Sequence, residues 1–156
     1  MRSLEQLLGE APALGSLPAE HRATIAGCAR TRSYEPGALL LREGDPADEL
    51  FVIRRGAVAV ETTVPGRGPV TLETLGPGEV LGWSWLVPPY RSAFGARALE
   101  RVHVVAVDGA CLRGKCERDP ALGYDLLKVV ATVFVHRLAE TRMRLLDLYA
   151  KAPGAG

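Results

Sequence analysis

The chain has 156 residues, 47% hydrophobic and 24% charged, which sets disordered and fibrous classes aside and fits one soluble domain with one core. A formal net charge of +1 supplies no basic excess to drive counterion release from a nucleic-acid backbone, so no direct DNA binding is expected. The start MRSLEQLLGE lacks an apolar signal region, and the run 129–135 is too short to span a bilayer, so the reading is cytoplasmic, without a membrane partner.

The first zone, 1–30, places Leu4, Leu7 and Leu8 at helical spacing. Pro18 then precedes Ala23, Ile25, Ala26 and Ala29. Two short helices are predicted, a flap packed on something larger.

The second zone, 31–118, reads as β-prone runs at 38–41, 50–53, 57–63, 70–75 and 102–107. Turn chemistry separates them: Pro36-Gly37, Gly44-Asp45-Pro46, Arg55-Gly56, Pro65-Gly66 and Gly76-Pro77-Gly78. Short strands at this spacing define a sandwich, barrel or roll. The fold class is therefore mainly β with flanking helices: a double-stranded β-helix (jelly roll), short N-terminal helices and a long C-terminal helix.

The third zone, 119–151, opens with Asp119-Pro120, an N-cap followed by proline at the first helical position, and contains no other proline. One helix of about 31 residues and roughly 46 Å follows. A domain this small cannot cover such a helix alone. Leu127, Val130, Phe134, Leu138, Thr141, Leu145 and Leu148 recur at steps of three and four, the seam of a two-helix contact, so a homodimer is predicted. The tail 152–156 is Gly- and Pro-rich and expected to fray, and no helix-turn-helix is expected after the long helix.

Cys28, Cys111 and Cys116 cannot all pair, and a lone Cys-x4-Cys spacing is no zinc pattern, so three reduced thiols and no metal are expected. No nucleophile triad, phosphate loop or HExxH is present. His21, His103 and His136 lack ligand-like spacing, so an enzyme is not expected.

The stretch 40–56, LLREGDPADELFVIRRG, carries Gly44, Asp45, Ala47, four apolar residues at 50–53, and Gly56. It resembles the first signature of the cyclic-nucleotide-binding domain family, shared by catabolite-activator-type regulators, protein kinase A regulatory subunits and cyclic-nucleotide-gated channels, with Leu41 a mild departure. The segment 75–98, within which 78–98 is cassette-like, resembles that family's phosphate-binding cassette. Gly82 matches the family glycine and Arg91-Ser92-Ala93 the closing triplet. In the family, helix-start N–H groups and the arginine hold the cyclic phosphate, and a glutamate accepts from the ribose hydroxyl.

That glutamate falls on Trp83, which has one N–H donor and no acceptor. Loss of the carboxylate's hydrogen bonds weakens binding by roughly ten- to more than a hundredfold. Glu79, three residues before Gly82, is a poor substitute, and 94–96 put one more residue between Ala93 and Arg97-Ala98 than many relatives have. Two readings stay open. Trp83 and Trp85, flanking Ser84, stack on a base or enclose a changed ligand while Arg91 anchors an anion; alternatively Trp83 plugs an unused pocket. On the long helix, Thr141 and Arg142 hold the position from which relatives cap the base, with Arg137 in reserve.

The resemblance implies a sensor without bound cofactor, whose ligand is a cyclic nucleotide (cyclic AMP or cyclic GMP) or another anionic small molecule, acting on a separate output protein. The competing reading is a ligand-free dimerisation or protein-interaction module.

Overall fold

A computed structural model describes residues 2–151. Three short helices, α1 (Leu4–Gly9), α2 (Pro12–Gly15) and α3 (Ala19–Ala26), lead into eight strands. These are β1 (Ala29–Tyr34), β2 (Leu39–Leu41), β3 (Glu49–Arg55), β4 (Val58–Val64), β5 (Gly68–Leu75), β6 (Val80–Leu81), β7 (Gly95–Ala98) and β8 (Val102–Asp108). Two helices close the chain, α4 (Gly109–Arg118) and α5 (Pro120–Lys151).

The strands form two four-stranded antiparallel sheets, ordered β1-β8-β3-β6 and β2-β7-β4-β5. The first sheet is covered on both faces, and this explains why β3 reads as the continuous apolar run Leu50-Phe51-Val52-Ile53. Because side chains alternate along a strand, Phe51 and Ile53 enter the interior of the roll with Val58, Val60, Leu75 and Leu81. Leu50 and Val52 face the other way and pack with Leu8, Leu14, Ile25, Leu112, Leu122 and Leu126 from the helices. In β8, Val102, Val104 and Ala106 go inward while Val105 and Val107 join the helical layer.

Several sequence expectations change. The flap holds three helices, not two, and Ala29 opens β1 instead of ending a helix. The strand Ala29–Tyr34 was hidden because ARTRSY has no apolar run; it lies at a sheet edge and is held by antiparallel pairing with β8 from Ala29↔Val107 to Tyr34↔Val102. β6 has two residues, and β7 is the small-residue strand GARA, both below any periodicity threshold. The last ten residues of the zone taken as roll, Gly109–Arg118, are helical, started by the Asp108 carboxylate accepting from the Cys111 amide at 2.8 Å.

The three-thiol expectation is also corrected. Cys28 and Cys111 form a disulfide across 83 residues of sequence, leaving Cys116 free. Cys111 and Cys116 are near in sequence but unpaired, whereas the antiparallel β1–β8 ladder brings the distant Cys28 and Cys111 together. Burial holds the Cys116 thiol above its usual pKa, with Asp119 and Glu117 adding to the effect.

α5 runs for 32 residues, about 48 Å. Its inner face, Leu122, Leu126, Val129 and Val130, is buried in the helical layer. Beyond it Leu127, Phe134, Leu138, Leu145 and Leu148 are each at least half exposed. Val130 therefore belongs to the core and not to the exposed stripe on which the expected seam would lie. Its exposed neighbour Ala131 takes that place, and 127, 131, 134, 138, 141, 145 and 148 then alternate by four and three without interruption. The predicted frayed tail 152–156 lies outside the described residues.

Leu126 is fully buried between α5 and the first sheet. Leu126→Ala is expected to lower unfolding stability by about 2–5 kcal/mol, read from the midpoint of a urea titration.

Candidate functional site

The turn 44–49 between β2 and β3 is the element on which the candidate site is assembled. Gly44 N–H donates to the Ser92 carbonyl at 2.8 Å, and Ser92 N–H donates back to the Asp45 carbonyl at 2.9 Å. Ala47 N–H donates to the Tyr90 carbonyl at 2.8 Å, and Pro46 bridges Arg91 in antiparallel fashion. The Arg91 guanidinium donates to the Gly44 carbonyl at 2.9 Å. The two family-like segments are thus one hydrogen-bonded unit. Glu43, just before the turn, accepts from Thr62 Oγ1 and the Thr63 amide, and these bonds depress its pKa below the usual carboxylate value.

Gly82 meets the same segment from the other side. Its φ is +89°, and a Cβ there would stand 2.6 Å from the Glu49 carbonyl oxygen. No L side chain fits, so glycine is required both by conformation and by close approach. Gly82 and Ser92 are buried, Ser84 is half-buried, and Arg91 and Ala93 are exposed.

Trp83 and Trp85 are 4% and 0% exposed and lie in the helical layer with Leu50, Val105 and Leu112. Of the two readings left open for these rings, stacking on a base lacks a free face: both are buried. Neither indole N–H has a partner among the described residues. The Glu79 carboxylate accepts from the Gly76 amide at 2.6 Å and is spent on the turn before β6, not directed at a ribose.

α4 grips this unit. Gly109 N–H donates to the Asp48 carbonyl at 2.8 Å, and a Cβ on Gly109 would stand 2.7 Å from Trp85 Cβ. Arg113 donates to the Trp85 carbonyl at 2.6 Å and stacks on the Tyr90 ring, 4.4 Å from its centroid. Sequence reasoning missed Arg113 because nothing in a single basic residue on a polar helix announces a tertiary contact.

From α5 it is the reserve candidate Arg137 that reaches the roll. Its guanidinium donates to the Val80 carbonyl, two residues before Gly82, and lies 3.8 Å from the Glu73 carboxylate. Thr141 bonds back to the Arg137 carbonyl at 2.8 Å and is exposed, as is Arg142. Arg144 ties the helix further out to the Leu72 carbonyl of β5. Among the described residues no group of three or more His, Cys, Asp or Glu is placed to hold a metal, and no helix is long and apolar enough to cross a membrane.

The two sheets, the capping helices and the glycine-centred cassette define a β-roll domain. Residues 31–119 match the family model described as cyclic nucleotide-binding domain, and the chain belongs to that family. A solved structure of a candidate cyclic nucleotide-binding protein from Geobacter metallireducens GS-15 is 32% identical, with 88% of this chain and 99% of that one covered and a TM-score of 0.78. The N-terminal domain of a transcriptional regulator from Streptomyces coelicolor A3(2) is 27% identical over 89% of this chain and 94% of that one, at a TM-score of 0.67. A cAMP-dependent protein kinase regulatory subunit of Pyricularia oryzae is 36% identical over 52 residues, which is 33% of this chain and 13% of that protein.

Gly82→Ala places a side chain in left-handed backbone and against a carbonyl. It is expected to cost about 1–3 kcal/mol, seen as a lowered melting temperature.

Proposed function

We propose that this chain is a non-catalytic, dimeric regulatory module that binds a cyclic nucleotide, or a related anionic small molecule, weakly at its cassette. The observation that carries this reading is the set of hydrogen bonds joining Arg91 and Ser92 to Gly44 and Asp45, with Gly82 against Glu49. Arg91 is exposed and bonded to a neutral carbonyl. A phosphate offers it a charged acceptor, and charge-assisted bonds are roughly twice as strong as neutral ones. Exchange of the Gly44 carbonyl for phosphate frees one bond of the turn 44–49. That turn holds α4 through Asp48 and Gly109, and Arg113 holds the cassette directly, so a change at Arg91 is passed to α4 and on to α5.

No acceptor stands at Trp83 for a ribose hydroxyl, so affinity falls by roughly ten- to a hundredfold from a complete cassette. Calorimetric titration with cyclic AMP and cyclic GMP is expected to show binding that Arg91→Ala abolishes. No binding of either below about 1 mM removes the cyclic-nucleotide version.

A second reading, a ligand-free interaction module acting through a separate output protein, is favoured by the burial of Trp83 and Trp85 in the core. Both readings use the seam of Leu127, Ala131, Phe134, Leu138, Thr141, Leu145 and Leu148, whose occupant is the same face of a second copy. Light scattering is expected to give a dimer mass for the wild-type chain and a monomer mass for Leu138→Glu/Leu145→Glu, with the roll still folded. An unchanged dimer in that variant would move the interface elsewhere.

A further inference from the structure

A cleft of about 810 Å³ lies beside the turn 44–49, and Cys28 and Cys111, joined as a disulfide, line it together with Arg30, Asp48, Tyr90 and Arg113. Both cysteines are only half-buried. The crosslink joins the end of the N-terminal helices to the first turn of α4, beside the Asp108 N–H bond to the Cys28 carbonyl at 2.9 Å. Besides the crosslink, these parts share the burial of Ile25 and Leu112 in the helical layer, and Lys115 Nζ reaches the Thr24 carbonyl at 3.1 Å from the same helix. α4 is also the helix whose Arg113 and Gly109 grip the cassette and whose end runs into α5.

We propose that the Cys28–Cys111 disulfide is a reversible redox-modification site, opened by a dithiol reductant that enters this cleft, and that its state sets how tightly α4 is held to the α3–β1 junction. The thiolate of the dithiol attacks one cysteine sulfur, forms a mixed disulfide and expels the other as a thiolate, which takes up a proton. The second thiol of the reductant then closes its own disulfide and releases the first cysteine as a thiol. Two electrons and two protons pass to the protein, and the dithiol leaves oxidised. Disulfides open to solvent are the labile ones, and a crosslink between two cooperative units changes their relative freedom without disturbing either core.

The test uses the full chain and needs no nucleotide, so its outcome is independent of the cyclic-nucleotide reading. Iodoacetamide labelling of the native, air-oxidised protein, read by mass spectrometry, is expected to modify Cys116 at most. After dithiothreitol under native conditions, Cys28 and Cys111 are modified as well. Hydrogen exchange at 109–118 and at the α3–β1 junction should then rise roughly tenfold or more, while β3 and β8 keep their protection. Cys28→Ser/Cys111→Ser should behave as the reduced chain does and ignore dithiothreitol, whereas Cys116→Ser should respond like wild type. Three labelled cysteines before any reductant, a disulfide that opens only on denaturation, or unchanged exchange in α4 after reduction would each overturn the proposal.

Discussion

The turn 44–49 offers its backbone to three separate parts of the molecule. The cassette segment 90–92 takes the bonds of Gly44, Asp45 and Ala47, α4 takes the Asp48 carbonyl, and Gly82 lies against Glu49. The segment is largely exposed, yet Gly44, Asp45, Ala47 and Asp48 each spend a backbone group on a protein partner in place of water. The same density removes slack. The hydrogen bonds of the turn tie the cassette and α4 to one short stretch of backbone.

The second constraint is the double coverage of the first sheet. β3 and β8 carry apolar residues on both faces because the roll interior lies on one side and the helices on the other. The large rings at 83 and 85 enlarge the helical layer, so the cassette is anchored by burial as well as by hydrogen bonds. In exchange the cassette lacks a carboxylate at 83. Its chemistry is left to glycine, backbone amides and Arg91.

What the sequence revealed followed the strength of local signals. The run Leu50 to Ile53, the turn glycines and the unbroken stretch after Pro120 each carry periodicity or punctuation that few other folds accommodate, so the roll and its long helix were legible. β1, β6 and β7 were not, because ARTRSY, VL and GARA owe their strand conformation to partners already in place. Of the candidate site, only Gly82 and the triplet 91–93 carry a pattern that the sequence displays. The inward turn of Trp83, the reach of Arg113 and Arg137, and the pairing of Cys28 with Cys111 depend on contacts many residues apart, which no short motif encodes. Val130 shows the limit of the heptad argument: at three- and four-residue steps, adjacent positions compete for one seam, and only the packing of the inner face decides between 130 and 131.

The burial of α5 ends at Val130, while the helix continues unbroken to Lys151. Some 30 Å of rod therefore run on beyond the part seated by Leu122, Leu126 and Val129, with no fully buried side chain among the described residues. Over that length a tilt of about 5° at the base would carry the tip by roughly 3 Å if nothing else held it. Arg137 and Arg144, fastened to the roll at Val80 and Leu72, act as guy-lines along the rod, and they limit its arc to movements in which the β5–β6 region swings with it.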